Sequence, residues 1–320
     1  MTLGMRQKPP IPSRARLGDT WLLGRHRLVC GDASDPGILT AATAGASPAL
    51  LVTSPPYGDQ RAYTTGGVGD WTALMQEVFR AAAASMAPGG QVLVNLGMVH
   101  REGEWQPYWS AWLDWMRTIG WRRFGLYAWD QGPGLPGGWA GRLAPSFELV
   151  FHLNRQARKP NKIIPCRWAG HMQGAKGGLR ARDGTVGDWT HAGRPVQPHR
   201  IPDSVIRITR HKGRGVETGH PAVFPVALPE FLMRAYAAEG ELVLDPFAGA
   251  GSSILAGALS GRVVAAVELA PAYVDIALAR WDRSHPDQPA QLLEGRHRRS
   301  GLISTSRAFP PSVRCALPTE

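Results

Sequence analysis

The sequence predicts an α/β protein: a doubly wound sheet with a basic module inserted into it. Two observations predict this. Short apolar runs alternate along the chain with stretches whose apolar residues recur at helical spacing, as in a parallel sheet covered by helices. Between residues 155 and 215 that alternation lapses into a stretch rich in Gly, His and Trp, without sustained period.

Taken in order, residues 1–18 read as a flexible basic arm. Residues 27–32 read as a strand ending in Gly31-Asp32, and Asp35 caps a short helix with Pro36 at its first position. Residues 49–52 are continuously apolar, as in a strand buried on both faces, and they run into Ser54-Pro55-Pro56-Tyr57. Two consecutive prolines fix two φ angles and push the preceding residues out of the helical region, so this tip is extended and stiff. Neither proline has an N–H. The backbone therefore offers acceptors, Ser54 adds a hydroxyl and Tyr57 an aromatic face. Such a tip suits a planar base with an exocyclic amine; it equally suits a proline-terminated strand with a core tyrosine.

Residues 59–70 read as a mobile loop over the tip. A helix over 71–86 is stopped by Pro88-Gly89-Gly90. A strand over 91–96, a helix over 105–119 and a strand over 121–129 follow, then a Gly/Pro loop over 131–138 and a strand over 147–153. Order returns with a helix over 229–238. A strand from Leu242 then enters the glycine turn Asp245-Pro246-Phe247-Ala248-Gly249-Ala250-Gly251-Ser252, and a helix runs over 252–259. Glycines let a backbone approach a ligand closely, and the helix N-terminus favours an anionic group. A strand over 262–267 ends in Glu268, 23 residues after Asp245 and placed to bind ribose hydroxyls. Beyond Arg283 the tail reads as disordered. The expected segments are an arm (1–18), a catalytic half (19–154), a basic insert (155–215), a cofactor-binding half (216–283) and a tail (284–320).

Composition narrows the class. With 320 residues, 43% of them hydrophobic, the chain can bury one large core. No apolar run approaches the ~18 residues of a membrane span, and the basic N-terminus lacks the apolar stretch of a signal peptide. Cys30, Cys166 and Cys315 are too scattered for a disulfide framework or a metal cluster. A cytoplasmic protein with reduced thiols and no metal is expected. Net charge is +11, and residues 155–214 hold 14 Lys/Arg against 3 Asp. Charge so concentrated favours a polyanionic partner.

Two competing readings fit less well. A nicotinamide-binding turn wants a third glycine where Ile254 stands. Pro165-Cys166 is similar to the Pro-Cys of cytosine-C5 methyltransferases but sits in the basic insert, not at a strand end.

Together, Thr53-Ser54-Pro55-Pro56-Tyr57 and the later Asp245–Ser252 turn resemble, in that order, the two signatures of the S-adenosylmethionine-dependent DNA amino-methyltransferases of the β arrangement. Leu28 to Asp32 is similar to that family's N-terminal Gly-Asp strand, and His220-Pro221-Ala222 with Phe224-Pro225 to its segment before the glycine turn. The resemblance implies a Rossmann-like methyltransferase sheet with a DNA-recognition insert. It implies S-adenosyl-L-methionine as cofactor, double-stranded DNA as substrate and a cognate restriction endonuclease as a further candidate partner. It places catalysis on Ser54, Pro55, Pro56 and Tyr57. Glu268 would bind the ribose and Asp32 the cofactor's adenine. Gly249, Gly251 and Ser252 would hold its methionine end, and Asp245 and Phe247 would shape the pocket. Arg142 and Glu148 would lie on the approach to the base pocket, with no role assigned to either. Ser54 at the head of the tetrapeptide favours cytosine N4 over adenine N6. A catalytically silent DNA-binding protein on the same fold is the alternative.

Overall fold

The computed structural model describes residues 13–57, 70–134, 136–174, 178–188, 191–210 and 225–294. The expected loop over 59–69, the residues from His220 to Phe224 and the tail from 295 lie outside the described residues. The chain forms two compact units: Lys159–Asp203, and the remainder.

In the larger unit the chain begins with β1 (Thr20–Leu23), β2 (His26–Cys30), α1 (Pro36–Thr43), β3 (Leu50–Thr53), α2 (Trp71–Ser85) and β4 (Gln91–Leu96). A hairpin, β5 (Val99–Arg101) and β6 (Glu104–Gln106), precedes α3 (Ser110–Thr118), β7 (Arg122–Asp130) and β8 (Phe147–Asn154). Strands β9 (Ile164–Pro165), β10 (Gly178–Arg180), β11 (Val186–Asp188) and β12 (His199–Arg200) belong to the smaller unit. The chain returns through β13 (Val205–Arg207), α4 (Ala227–Tyr236), β14 (Leu242–Asp245), α5 (Ser252–Ser260), β15 (Val263–Glu268), α6 (Pro271–Ser284) and β16 (Gln291–Glu294).

Ten of these strands make one sheet, ordered β13-β7-β8-β4-β3-β14-β15-β2-β1-β16. Its centre, β4-β3-β14-β15-β2, is parallel, and β8 and β1 flank it antiparallel. The doubly wound sheet is thus present, with mixed edges. Side chains alternate between its faces. Leu51, Val92, Val94, Leu244, Ala265 and Val267 join a core with Leu39, Phe79, Trp112 and Met116 of α1, α2 and α3. The alternate residues Leu50, Val52, Val243, Val264 and Ala266 are equally buried on the other face. There α4 and α5 pack on each other, α4 against β3 and α5 against β15. A strand buried on both faces reads as an unbroken apolar run, which is why β3 and β15 were legible.

The structure corrects four expectations. The helix expected over 105–119 begins at Ser110, because Glu102 (φ 51) and Gly103 (φ 82) make the tight turn of a hairpin whose second strand takes up Glu104–Gln106. The arm expected to be flexible through residue 18 is pinned from Arg14: the amides of Arg14 and Ala15 donate to Asp275 Oδ1 at 2.9 and 2.8 Å, and Arg14 pairs with Asp282 at 2.6 Å. The tail expected to be disordered from 284 folds back. His285 stacks on Trp281 at 3.8 Å, Trp281 Nε1 donates to the Gln288 carbonyl at 2.7 Å, and β16 pairs with β1. Lastly β13, inside the span expected for the insert, pairs with β7 in the large sheet.

Within the smaller unit, β10 and β11 form one hairpin and β9 pairs with β12. Asp183 accepts from both the Thr185 amide (3.0 Å) and its hydroxyl (2.7 Å), which ties the β10–β11 turn. Among the described residues, no helix is long and apolar enough to cross a membrane.

Candidate active site

Strands β3 and β14 lie side by side, Leu50 opposite Val243 and Leu51 opposite Leu244. From β3 the chain crosses through α2 to β4 on one side; from β14 it crosses through α5 to β15 on the other. Strand order reverses between them, and in open α/β sheets ligands bind at the carboxyl ends of the strands flanking such a point. The Ser-Pro-Pro-Tyr tip leaves β3 there, and the glycine turn leaves β14 beside it.

One hydrogen bond joins the two. Thr53 Oγ1 donates to Asp245 Oδ1 at 2.6 Å, and the Phe247 amide donates to the same oxygen at 3.1 Å. Asp245 is fully buried. Burial pushes its carboxyl up, while these hydroxyl and amide donors pull the other way. Phe247 is partly buried and packs on the core shared with α1, α2 and α3.

The glycine turn needs its glycines. Gly249 (φ 50) and Gly251 (φ 75) adopt left-handed conformations, and a Cβ on Gly251 would lie 2.8 Å from the Ala277 Cβ. Helix α5 starts at Ser252 with no side-chain cap on its first amides. Buried Ser252 accepts from Arg280 Nη1 at 3.1 Å, and the same guanidinium nitrogen donates to the Ala250 carbonyl, holding the turn from α6.

Glu268 ends β15 next to this turn. Its Oε2 accepts from the Gly249 amide and its Oε1 from the Ala270 amide, both at 2.8 Å. Burial raises its carboxyl and the two amides oppose the rise. The Gly31 amide donates to the Glu268 carbonyl at 3.0 Å, which brings the end of β2 to the same edge. Asp32 is exposed there, its Oδ1 taking the Ser34 amide at 2.9 Å. All the residues expected to bind a cofactor thus gather at the ends of β2, β14 and β15.

The tip itself is clamped. Trp71 Nε1, at the start of α2, donates to the Pro56 carbonyl at 2.7 Å. The Tyr57 ring packs so closely on Gly97 that a Cβ there would lie 2.6 Å from Tyr57 Cε2. The ring that the sequence offers as a stacking face is 8% exposed, and burial raises its phenol well above the ordinary value. Its hydroxyl donates to Glu148 Oε2 at 2.7 Å, and Asn95 Nδ2 donates to the Tyr57 hydroxyl (2.9 Å) and to Glu148 Oε2 (2.6 Å). Ser54 Oγ, half-buried, lies 3.3 Å from the same Tyr57 hydroxyl. Asn95 Oδ1 is buried without a partner among the described residues, at a cost of about 1–3 kcal/mol. Turning the amide over would set its oxygen against the Glu148 carboxylate instead.

Asn95, Trp71 and Arg280 carry no role in the sequence reading, and Glu148 none beyond lying with Arg142 on the approach to the base pocket. For Asn95 and Glu148 a signal was present. Both are polar intrusions into apolar strands, Gln91–Leu96 and Phe147–Asn154. Arg142 is exposed.

The bond between Thr53 and Asp245 makes a direct test of this junction. Thr53→Val keeps the shape and removes the donor from a buried carboxyl; unfolding in urea should show a loss of about 1–3 kcal/mol. An unchanged midpoint and slope would show that the bond contributes nothing.

The chain is similar to known proteins over most of its length. The chain is similar to M.BamHII of Bacillus amyloliquefaciens, an orphan methyltransferase, at 27% identity over 242 residues, which is 72% of this chain and 87% of the relative. Among solved structures it is similar to TTHA0409 of Thermus thermophilus, at 25% identity and a TM-score of 0.51, covering 82% of this chain and 96% of that one. TTHA0409 is also solved in complex with S-adenosyl-L-methionine. The fold is shared too by the cytosine-N4-specific PvuII DNA methyltransferase, at 18% identity and a TM-score of 0.54, covering 82% of this chain and 90% of that one. The N6/N4 methyltransferase model, described as DNA methylase, matches residues 49–279, from the strand before the Ser-Pro-Pro-Tyr tip into α6, and the chain belongs to that family.

Proposed function

We propose that this chain transfers a methyl group from S-adenosyl-L-methionine to the exocyclic amine of a base flipped out of double-stranded DNA, with cytosine N4 as the target. The observation that carries the proposal is the hydrogen-bonded adjacency of the two signatures across β3 and β14. It brings a row of acceptors beside a glycine turn, which supports a nucleotide-like cofactor and a base meeting at this edge.

The residues fit the cofactor. The left-handed Gly249 and Gly251 leave room for close approach, and the uncapped start of α5 suits the carboxylate of the methionine end, with Ser252 beside it. Glu268, already oriented by two amides, has lone pairs left for ribose hydroxyls; Asp32 at the neighbouring strand end suits the adenine amine. Asp245 and Phe247 would shape the pocket between them. When bound, S-adenosyl-L-methionine supplies a methyl group activated on a sulfonium.

An exocyclic amine is a poor nucleophile because its lone pair is delocalised into the ring. Ser54 Oγ and the Pro55 carbonyl, as two rigid acceptors, draw its N–H groups out of the ring plane and aim the lone pair at the methyl carbon. The nitrogen would take the methyl carbon with the S–C bonding pair left on sulfur, and the surplus proton of the methylated amine would pass to water. The same acceptors stabilise the positive charge that develops on nitrogen, and positioning supplies much of the rest. Pro56, with its carbonyl held by Trp71, and Tyr57, packed on Gly97, keep the acceptors in place. The intact tip and glycine turn both argue against a catalytically silent protein.

Physics alone does not separate cytosine N4 from adenine N6, since both are amidine-type amines that the same acceptors can serve. Ser54 as the first residue of the tetrapeptide favours cytosine. DNA from cells expressing the protein, digested to nucleosides and separated by mass, should contain N4-methylcytosine, and Ser54→Ala should lower the rate by roughly 10²–10³. N6-methyladenine without N4-methylcytosine would reassign the base and leave the mechanism; neither product would refute the activity.

Cofactor affinity should depend on Glu268 although the chemistry sits on the other signature. In calorimetry, Glu268→Ala should weaken S-adenosyl-L-methionine binding by about 1.5–3 kcal/mol. Unchanged affinity in a folded variant would remove the ribose assignment.

The basic stretch over 155–214 is proposed to carry DNA affinity and sequence choice, with its exposed Arg180, Arg182 and Arg194 among the phosphate contacts. With ~6–10 such contacts, affinity should fall on the order of 10³–10⁵ between 50 and 200 mM salt. Replacing those three arginines should flatten the slope; a variant with the wild-type slope would place the DNA elsewhere.

A further inference from the structure

We infer that Glu148 is a positioning residue for the methyl transfer, acting through Tyr57 to make the Ser54 hydroxyl a hydrogen-bond acceptor toward the target amine. The inference rests on the tip being the base site.

The sheet register assembles the group. Thr53 lies opposite Val94, so Ser54 leaves the strand beside Asn95; Asn95 lies opposite Val150, and Glu148 precedes Val150 by two residues on the same face. Three neighbouring strand ends thus contribute one polar row.

The direction of its hydrogen bonds follows from counting donors. A carboxylate has none, so the 2.7 Å contact between Tyr57 and Glu148 uses the phenol proton. The phenol oxygen can then only accept, and it does so from Asn95 Nδ2 at 2.9 Å and from Ser54 Oγ at 3.3 Å. The proton of Ser54 therefore points at Tyr57. This matters because the target amine presents N–H groups. A serine proton aimed at the base would repel them, whereas one directed to Tyr57 leaves the Ser54 lone pairs for the amine. Without the carboxylate, the phenol is free to turn its proton toward Ser54 and reverse the chain. Asn95 reinforces the direction by donating to both Tyr57 and Glu148.

Tritium transfer from S-adenosyl-L-methionine to unmethylated genomic DNA, with kcat and KM separated, tests the inference. Glu148→Gln preserves shape and removes the charge. It should lower kcat about 10–100-fold, with calorimetric S-adenosyl-L-methionine affinity and DNA KM within about twofold of wild type. Tyr57→Phe, which keeps the ring on Gly97, should lose a similar factor, and the double variant should be no worse than either single one. In a Ser54→Ala background, Glu148→Gln should have no further effect, because no hydroxyl is left to orient; a merely structural role would still add its cost. Full kcat in Glu148→Gln, or losses that multiply, would overturn the inference. Should Glu148→Gln fail to fold, full kcat in Tyr57→Phe would overturn it equally. A wild-type protein that transfers no methyl to either amine would sink the base-site reading itself, which these variant comparisons leave separate.

Discussion

The pairing of β3 with β14 is the constraint on which the rest of the molecule depends. The two strands are far apart in sequence: Thr53 and Asp245, which bond across their ends, are 192 residues apart. Closing so large a loop costs conformational entropy that grows only slowly with length, so the intervening residues can accommodate a separate unit. The apolar strands, buried on both faces, supply the compensating burial. Once they pair, the crossovers through α2 and α5 diverge, and a crevice at their carboxyl ends follows from topology alone.

Around that crevice several backbone and carboxyl groups are held by the protein itself. Thr53 and the Phe247 amide hold Asp245, the Gly249 and Ala270 amides hold Glu268, Arg280 holds the turn, and Trp71 holds the tip. Groups fixed before a ligand arrives pay no reorganisation cost when it binds. This is the physical sense in which the site is built from the sheet edge outward.

A second polar chain runs through the same half of the sheet. Gln91 Oε1 accepts from Asn154 Nδ2 at 3.1 Å and from His152 Nε2 at 2.9 Å, since the Gln91 amide nitrogen already donates to the Gly89 and Gln156 carbonyls. His152 Nδ1 is then the acceptor for the Tyr127 hydroxyl at 2.7 Å, which in turn accepts from Tyr236 at 2.8 Å. Burial holds the His152 imidazole down to about 4, so the ring is neutral and the chain keeps one direction. Glu148, His152 and Asn154 share a face of β8, and Gln91 and Asn95 share one of β4. A stripe of directed hydrogen bonds thus fixes the register of β4 against β8, and with it the position of Glu148 beside Tyr57.

The chain by itself determined the elements whose cause is local. Unbroken apolar runs made β3 and β15 legible, Asp35-Pro36 made the start of α1, and glycines that must take positive φ made the turn before α5. Both signatures could be read for the same reason: prolines and glycines constrain the backbone wherever they stand. Elements whose cause is a distant partner were not legible. The last strand exists because Trp281 and Asp282 fold the chain back to β1, β13 because β7 offers an edge, and the pinned arm because Asp275 lies under it. The same divide crosses the candidate site. Ser54 and Tyr57 announce themselves in a tetrapeptide, but Glu148 is one acid in one strand until the pairing of β3, β4 and β8 sets it within 2.7 Å of the Tyr57 hydroxyl. Backbone restriction is written residue by residue, whereas a hydrogen bond needs two groups whose distance only the folded sheet decides.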